Sequence, residues 1–319
     1  MNIMVIGDVM VDSYMWGRVD RISPEAPIPI VSVTKRENRP GGAANVALNI
    51  QSLGANALLC SVIGNDARKD IFMDLMRDSG MVNDGILVSD DRKTTVKTRI
   101  IGSNQHLLRV DEEDNGRISK SAEKQFTALI RSVLASVRTD AIIFEDYDKG
   151  VITPAVIKEV LFLAREKGIP VSADPKKRNF NLYRNIDLFK PNLKELSEGL
   201  KTDIPGRDIE KIGEAARRLQ EEGNIRYLLI TLSEMGIYLR SREGGKLVST
   251  EVRDIADVSG AGDTVISVAT ACLAAGMSPE DMAVIANLAG GLVCGKVGVV
   301  PVDKQLLLEE ALNLFSRKQ

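Results

Sequence analysis

Residues 257–264 read Asp-Val-Ser-Gly-Ala-Gly-Asp-Thr, and they open the most apolar helical run of the chain, Val265 to Met277. Gly260 and Gly262 allow the backbone to turn tightly just before this helix. The free N–H groups at the helix start, including that of Ala261, then point toward any group that binds there. The helix dipole favours an anion at this end. The stretch therefore predicts an anion-binding turn that leads into a buried helix.

Asp263 is the residue of this stretch that needs an explanation. One interpretation is a simple helix-entry turn, in which the acid is a first-turn carboxylate favoured by the dipole. The other is a general base that takes a proton from an alcohol as the alcohol attacks a phosphoryl group. Short glycine motifs recur by chance, so the choice depends on the rest of the chain.

The composition limits the class of protein. With 319 residues, the chain can form one large α/β domain or two small ones. A net charge of −2 and the lack of a long basic run argue against nucleic acid as a partner. The run from Val265 to Met277 is too short for a membrane span, so we expect no membrane partner. Three widely spaced cysteines in apolar surroundings predict reduced thiols in a cytoplasmic protein.

The order of apolar segments predicts the fold class. From about Ser119, helical and strand-like segments alternate, which favours a doubly wound α/β fold with a mostly parallel sheet flanked by helices. Two helix-free stretches, about residues 11–35 and 86–112, are predicted to form a small β-sheet lid inserted in a single domain of residues 1–319. We expect the strands of the second stretch, Ile86 to Val88 among them, to pair as antiparallel hairpins. Asp8 and Asp12 follow the first strand, where such sheets bind ligands.

A second glycine motif precedes the first helix. Arg39-Pro40-Gly41-Gly42 leads into Ala43-Ala44-Asn45. The simplest interpretation is a helix start with small packing residues. The alternative is that Gly41 and Gly42 let a sugar hydroxyl approach the backbone, while Asn45 supplies a donor and an acceptor.

These motifs resemble those of the ribokinase-like (PfkB) carbohydrate kinases, with Ser259 in place of a more usual Thr. The resemblance extends from Ile3 to about Phe315. It implies ATP as the phosphoryl donor, Mg²⁺ as cofactor, and Asp263 as the catalytic base. It also implies that the N–H groups of residues 260–262 form the anion hole, and that the glycine pair acts as the hinge of the lid.

The same resemblance assigns a nucleotide side. Asn192 and Glu195 match an Asn-x-x-Glu element that organises magnesium through its water ligands, although the pattern alone equally predicts a capped helix. The turn with Thr231, Ser233 and Gly236 resembles the nucleotide-side loop, and Asn287 resembles the residue that borders the adenine. Residues 297–300, Val-Gly-Val-Val, depart from the pattern usual near the monovalent-cation region, which leaves potassium dependence open.

Some segments resemble one group within the family more closely, among them residues 7–12, 21–27 and 146–150. That group comprises the bacterial kinases of D-glycero-β-D-manno-heptose 7-phosphate in lipopolysaccharide-core synthesis. The resemblance implies phosphorylation of the anomeric C1 hydroxyl, with basic residues holding the 7-phosphate. The implied substrate-binding residues are Asp12, Gly41, Gly42, Asn45, Lys97, Arg99, Asn104, Gln105, Arg109, Asp174 and Lys176. In many such kinases a nucleotidylyltransferase domain follows, so this chain resembles the stand-alone form or a kinase half.

Two other functions stay open. A sibling kinase would phosphorylate another sugar, such as a fructose phosphate or ribose. A non-catalytic sugar- or nucleotide-sensing module could use the same fold, although the presence of Asp263 with its glycine turn counts against it. We also expect a homodimer through the lids, because projecting strands leave edges and apolar side chains that need cover, such as Ile28 and Val33.

Overall fold

A computed structural model describes residues 1–102, 105–205, 207–250 and 255–316. The described strands are β1 (Asn2–Gly7), β2 (Val9–Ile22), β3 (Pro29–Gly42), β4 (Asn56–Gly64), β5 (Ile86–Ser89), β6 (Val96–Gly102), β7 (Gln105–Glu112), β8 (Ala141–Glu145), β9 (Val171–Asp174), β10 (Leu188–Phe189), β11 (Tyr227–Thr231), β12 (Ile237–Ser241) and β13 (Gly244–Val248). The described helices are α1 (Ala43–Ser52), α2 (Ala67–Asp78), α3 (Lys120–Ser136), α4 (Pro154–Lys167), α5 (Leu193–Leu200), α6 (Ile209–Gly223), α7 (Ala261–Ala274), α8 (Pro279–Cys294) and α9 (Lys304–Ser316).

The large sheet has the strand order β13-β12-β11-β10-β9-β8-β1-β4-β5 in the described ranges. Its strands are parallel from β5 to β11, and β12 and β13 complete one edge as an antiparallel hairpin. Along β1, Ile3 and Val5 pack into one apolar cluster, whereas Met4 and Ile6 pack into another. A sheet with a core on each face is the doubly wound fold that the sequence predicts, so that prediction is confirmed.

The helices divide between these two clusters. Buried residues of α1, α2, α7, α8 and α9 belong to the first cluster, and those of α3, α4, α5 and α6 belong to the second. Most of the α7 side chains from Asp263 to Thr270 are buried, which explains why this helix is the most apolar run in the sequence. Its first turn lies against the carboxyl ends of the central strands, since α7 packs on β8 and β9.

A separate four-stranded sheet, with the order β3-β2-β6-β7, forms the lid. Strand β2 pairs antiparallel with β3 and parallel with β6, and β6 pairs antiparallel with β7. Because residues that lie opposite each other in register share a face, Asp12, Arg39 and Lys97 lie on one face of the lid.

Part of the second helix-free stretch is not in the lid. The prediction that Ile86 to Val88 belongs to the lid and pairs as an antiparallel hairpin is wrong. Strand β5, at Ile86 to Ser89, pairs parallel with β4 at the edge of the large sheet. Helix α2 supplies the crossover that a parallel pair requires, so β4, α2 and β5 form an ordinary β-α-β unit. Asn104, expected to contact the sugar, lies outside the described residues. In the part of the chain that the structure describes, no helix has the length and apolar character needed to cross a membrane.

Candidate active site

Two helices begin at glycines without a side-chain cap. Gly42 precedes α1 at φ 60°, and Gly260 precedes α7 at φ 80°, a left-handed conformation that favours glycine. In contrast, the cap side chain accepts a backbone hydrogen bond in α2, α3, α4, α5, α6 and α8. The N–H groups in the first turn of a helix have no acceptor within the helix. At the start of α1 the N–H of Ala43 donates to the carbonyl oxygen of Asp8 at 3.0 Å. Within the described residues, neither helix start has a side-chain acceptor for its first N–H groups.

One of the three predicted anion-hole groups is partly engaged. The N–H of Ala261 donates to the carbonyl of Val258 at a long distance of 3.3 Å. At Gly262 a β-carbon would lie 3.5 Å from Nζ of Lys190 and 3.8 Å from Oδ2 of Asp174. This glycine therefore faces a buried ion pair, and its lack of a side chain keeps that side of the turn open.

Asp263 lies in the first turn of α7 and is 4% exposed. Its carboxylate accepts two hydrogen bonds, from Nδ2 of Asn45 to Oδ2 at 2.7 Å and from the hydroxyl of Tyr147 to Oδ1 at 2.7 Å. Asn45 comes from the start of α1 and Tyr147 from the loop after β8. Three separate parts of the chain thus fix the orientation of this carboxylate.

Burial raises the pKa of Asp263 from 3.8 to about 6, although the hydrogen bonds from Asn45 and Tyr147 oppose the rise. The pKa of Tyr147 is raised well above 10, first by burial and then by the charge of Asp263, so this hydroxyl keeps its proton and donates. A carboxylate with a pKa near neutral, ionised at pH 7 and close to helix N–H groups, has the properties of a general base.

Beside Asp263 lies a charged cluster of which sequence reasoning identified Asp174, as a substrate-binding residue, but not Glu145 or Lys190. Glu145 ends β8, Asp174 ends β9, and Lys190 follows β10, so the carboxyl ends of three neighbouring strands bring them together. Nζ of Lys190 lies 2.7 Å from Oδ2 of Asp174, and both side chains are almost fully buried. Burial and the charges of Asp174 and Asp263 raise the pKa of Glu145 well above its usual value. The rule that ligands bind beyond the carboxyl ends of strands could have found these residues.

The carboxylate of Asp8 is used by the backbone, whereas the sequence places it to meet a ligand. It is 1% exposed, and its carboxylate accepts hydrogen bonds from the N–H groups of Tyr147, Lys149 and Val151 at 2.9 to 3.0 Å. Its role is structural, since it holds the loop that carries Tyr147. The first strand-end acid is therefore used by the backbone.

The glycine pair adjoins Asp12. A β-carbon at Gly41 would lie 2.1 Å from Oδ2 of Asp12, so a larger residue would displace this carboxylate. Asp12 is buried and forms an ion pair with Arg99 of β6. Asp12 and Arg99 thus lie together at the base of the lid, next to the segment that leads to Asn45.

The other basic residues proposed for the sugar phosphate are all paired with carboxylates. Nζ of Lys97 lies 3.3 Å from Oδ2 of Asp111 and 3.3 Å from Oε2 of Glu113, and the Lys97 side chain is mostly buried. Arg109 lies on the exposed strand β7, and its Nε lies 2.9 Å from Oδ1 of Asp111. Gln105 is exposed at the start of the same strand. Lys97 and Arg109 thus share the carboxylate of Asp111, whereas Gln105 lies at the other end of β7.

Lys176 lies on the other side of the base. It forms an ion pair with Glu195, and its ammonium group lies 5.4 Å from the ring centre of Tyr147. Glu195 and Asn192 form a complete capping box at the start of α5, which is the purely structural interpretation of this motif. Both carboxylate oxygens of Glu195 are thus occupied, one by Lys176 and one by the N–H of Asn192.

The remaining nucleotide-side residues border two cavities. Asn192, Thr231 and Ser233 line a cavity of about 670 Å³. Asn287 lines another cavity, of about 500 Å³. Its Oδ1 accepts a hydrogen bond from the hydroxyl of Thr250, and its Nδ2 donates to the carbonyl oxygen of Ser249. Gly236 lies close to the second cavity, because a β-carbon there would lie 2.1 Å from the carbonyl oxygen of Val248, which lines it. Thr231 and Ser233 thus border one cavity and Asn287 another.

The fit of magnesium can be tested on the carboxylates. Oδ1 of Asp174 and Oε2 of Glu145 are buried without a hydrogen-bond partner in the described residues. The same residues contain no group of three or more acidic, histidine or cysteine side chains that could hold a metal ion. Mg²⁺ commonly keeps several waters and takes only one or two protein carboxylates. Asp174 therefore fits as a direct or water-mediated ligand, and Glu195 fits through water only.

A doubly wound sheet with a lid, an uncapped glycine turn and a buried carboxylate in a helix start are typical of phosphotransferases that act on alcohols. Residues 1–305 match the family described as pfkB family carbohydrate kinase. The chain belongs to this family, and it is a carbohydrate kinase.

The comparisons agree at the level of fold and sequence. The chain is 40% identical over 320 residues to the "Bifunctional protein HldE" of Methylobacillus flagellatus, covering 99% of this chain and 64% of that protein. Ribokinase of Arabidopsis thaliana, solved with ribose and ATP, has a TM-score of 0.75 at 19% identity and 97% and 98% coverage of the two chains. Phosphofructokinase-2 of Escherichia coli, solved in complex with potassium, has a TM-score of 0.77 at 19% identity and 98% coverage of both chains. The chain therefore spans less than two thirds of the length of the curated relatives that it matches.

Proposed function

We propose that this carbohydrate kinase transfers the γ-phosphoryl group of ATP to the anomeric C1 hydroxyl of D-glycero-D-manno-heptose 7-phosphate, giving the 1,7-bisphosphate for ADP-heptose and lipopolysaccharide-core synthesis. The observation that carries the chemistry is the carboxylate of Asp263. It is buried at an uncapped helix start, fixed by Asn45 and Tyr147, and has a pKa of about 6. Such a group accepts a proton at neutral pH while nearby N–H groups bind the phosphate.

In this proposal the sugar lies between the lid and the start of α7. Asp12 and Asn45 fix sugar hydroxyls, and Asp263 removes the C1 proton as the oxygen attacks phosphorus in line. The N–H groups of residues 260–263 stabilise the charge on the transferred group, and each donor contributes roughly 3 kcal/mol by analogy with oxyanion holes. Closure of the lid excludes water and limits wasteful hydrolysis of ATP.

Mg²⁺ bound to ATP would neutralise the phosphates, with Asp174 and the water-mediated Glu195 as its protein partners. Lys190, which pairs with Asp174, adds positive charge on the same side. The proposal places the enzyme in the cytoplasm, where ATP is available and buried thiols such as Cys60 stay reduced.

The heptose assignment rests on the lid and on the segments that resemble heptose kinases. A phosphate dianion prefers guanidinium forks, and Arg99 and Arg109 lie opposite each other in the β6–β7 register. Both are paired with acids, Arg99 with Asp12 and Arg109 with Asp111, so a substrate phosphate would compete with Asp111 for Arg109.

ADP release, measured over a panel of heptose 7-phosphate, fructose phosphates and ribose, tests this proposal. We expect the highest kcat/KM for heptose 7-phosphate. A higher value for a fructose phosphate or ribose would identify a sibling kinase instead. The absence of sugar-dependent ADP release from every member would contradict the assignment and favour a sensing role.

A further inference from the structure

Arg39, on lid strand β3, contacts a loop of the main body. Its Nη1 donates to the carbonyl oxygens of Val297 at 3.3 Å and Val299 at 3.2 Å, in the segment between α8 and α9. A β-carbon at Gly298, which has φ 76°, would lie 2.7 Å from the same nitrogen, so glycine permits this close approach. The guanidinium thus lies on the loop formed by residues 297–299.

The 297–299 loop in turn contacts the turn that starts α7. The N–H of Gly298 donates to Oδ2 of Asp257 at 2.9 Å, and the N–H of Ser259 donates to Oδ1 at 2.9 Å. A β-carbon at Gly260 would lie 3.3 Å from a side-chain methyl of Val299. The carboxylate of Asp257 therefore links the 297–299 loop to the residues just before the anion-binding N–H groups.

A second lid residue contacts the same loop. The N–H of Val299 donates to the hydroxyl of Tyr14 at 3.2 Å, and Arg39 lies over the Tyr14 ring at 5.1 Å from its centre. Tyr14 also stacks on Trp16, with ring centres 5.3 Å apart. Because Trp16 is the only tryptophan in the sequence, its fluorescence reports on this contact between lid and loop.

We propose that Arg39 is a positioning residue that couples the lid to the anion-binding turn. Its Nε pairs with Glu37 at 2.6 Å, which leaves Nη1 to order the 297–299 loop. The loop holds Asp257 and Gly260 so that the following N–H groups meet the phosphate. Hydrogen bonds from a charged donor are stronger than neutral ones. A bound alkali cation could hold the same carbonyl oxygens, but here a side chain occupies them, so phosphoryl transfer needs no added potassium.

The test compares Arg39→Ala with Arg36→Ala. Arg36 lies on the same strand, is exposed, and points to the opposite face of the lid, which makes it a matched control. We expect Arg39→Ala to lower kcat by about tenfold to a hundredfold, with smaller changes in either KM, and to shift the emission of Trp16.

Guanidinium or potassium chloride should restore part of the lost kcat, and the kcat of Arg39→Lys should lie between those of wild type and Arg39→Ala. Wild type should keep its kcat when choline replaces potassium at equal ionic strength, and Arg36→Ala should behave like wild type.

The kinetic part of this inference rests on the proposed function, whereas the fluorescence part does not. The inference is overturned if Arg39→Ala keeps the kcat and the Trp16 emission of wild type. It is also overturned if kcat falls while the emission stays unchanged and neither salt restores activity. A wild-type enzyme that requires potassium would overturn it as well. If no sugar supports turnover in wild type, the proposed function fails, and the emission of the Arg39→Ala and Arg36→Ala variants still decides the contact. If Arg39→Ala does not fold, the same measurements on Arg39→Lys decide it.

Discussion

The side-chain amide of Asn45 and the carboxylate of Asp263 are 218 residues apart in the chain, yet Nδ2 of Asn45 lies 2.7 Å from Oδ2 of Asp263. This hydrogen bond joins the starts of α1 and α7, the two helices that begin at glycines without a side-chain cap. It brings two glycine motifs that are remote in sequence to one point. The base, the anion-binding turn and the sugar-side glycines thus form one site.

Replacement of the base should remove turnover and leave the fold intact. We expect Asp263→Asn to lower kcat by about 10²–10⁴-fold, the usual range for general-base catalysis, while nucleotide affinity changes little. Asp70→Asn is the matched control, because Asp70 is an exposed acid in the first turn of α2. Steady-state kinetics and nucleotide titration measure both effects. Near wild-type turnover in Asp263→Asn would leave only the helix-dipole role for this acid.

The same variant should not lose stability at neutral pH. The folded-state pKa of Asp263, about 6, lies above the ordinary value of 3.8, so folding favours the protonated form. The resulting stabilisation is complete below pH 3.8 and is lost as the pH rises through 6. At pH 7.5 the carboxylate is ionised and this stabilisation is absent. On account of this group alone, the free energy of unfolding is then lower by about 3 kcal/mol than at a pH below 3.8, for a pKa shift of about two units. Thermal unfolding of Asp263→Asn at pH 7.5 should give a Tm equal to or above that of wild type. A clear drop would show that the carboxylate holds the fold together.

Activity should fall on the acid side of neutrality. Protonated Asp263 cannot accept the proton of the sugar hydroxyl, so we expect kcat/KM to decrease below about pH 6, by about one order of magnitude per pH unit. The profile of kcat/KM against pH, measured at constant ionic strength, checks this. A flat profile down to pH 5 would be inconsistent with this carboxylate as the base.

Tyr147→Phe should move the acid limb to higher pH. The Tyr147 hydroxyl stabilises the ionised form of Asp263, so its loss raises the pKa of the carboxylate further. A substrate phosphate also titrates near pH 6. If that titration caused the fall of kcat/KM at low pH, the pH of the fall would be the same in the variant and in wild type. Tyr227→Phe is a suitable control, because its ring packs against Arg226 away from the base. An unmoved limb in Tyr147→Phe would assign the titration to the substrate.

The cations proposed to hold the sugar phosphate should affect the binding of that substrate more than the binding of ATP. We expect Arg109→Ala or Lys176→Ala to raise the KM for heptose 7-phosphate by about one to two orders of magnitude, since one charge-assisted contact contributes about 1.5–3 kcal/mol. Lys177→Ala, at an exposed neighbour, is the control for Lys176. Kinetics with each substrate varied separate the two sides of the site. Because Lys176 pairs with Glu195, a larger change in the KM for ATP would move it to the nucleotide side.

A homodimer through the lids is expected from exposed apolar side chains on edge strands. Ile28, next to β3, is 57% exposed, and Leu108 and Val110 on β7 are 57% and 43% exposed. Edge strands with such residues need cover. Light scattering at micromolar concentration should give the mass of two chains, and Leu108→Glu should reduce it. A monomer in wild type would argue against lid-mediated assembly.

Much of the fold could be predicted because local signals and tertiary structure agree. Thr153 caps α4 and Pro154 occupies its first turn, as the sequence indicates. Short strands were harder. A four-residue strand such as β5 has no period that separates the lid from the main sheet. The hairpin of β12 and β13 was not predicted, although Gly244 and Gly245 directly follow its turn.

In the site, sequence motifs identified residues that follow glycines, but not the partners that folding brings to them. Asp263 and Asn45 were predicted, whereas Tyr147 as the second donor to Asp263 was not, since nothing local links it to a position 116 residues away. Ion pairing was equally invisible. Lys97, Arg99, Arg109 and Lys176 look like free cations in the sequence, and each is paired with a carboxylate in the structure.

The central claim is that Asp263 activates the C1 hydroxyl of heptose 7-phosphate, and phosphorus NMR of the product tests it most directly. With ATP, Mg²⁺ and heptose 7-phosphate, wild type should produce a new phosphorus signal coupled to the anomeric proton, in step with ADP. Asp263→Asn should produce none in the same time. A new signal coupled to another ring proton, or inorganic phosphate as the only product, would contradict the account.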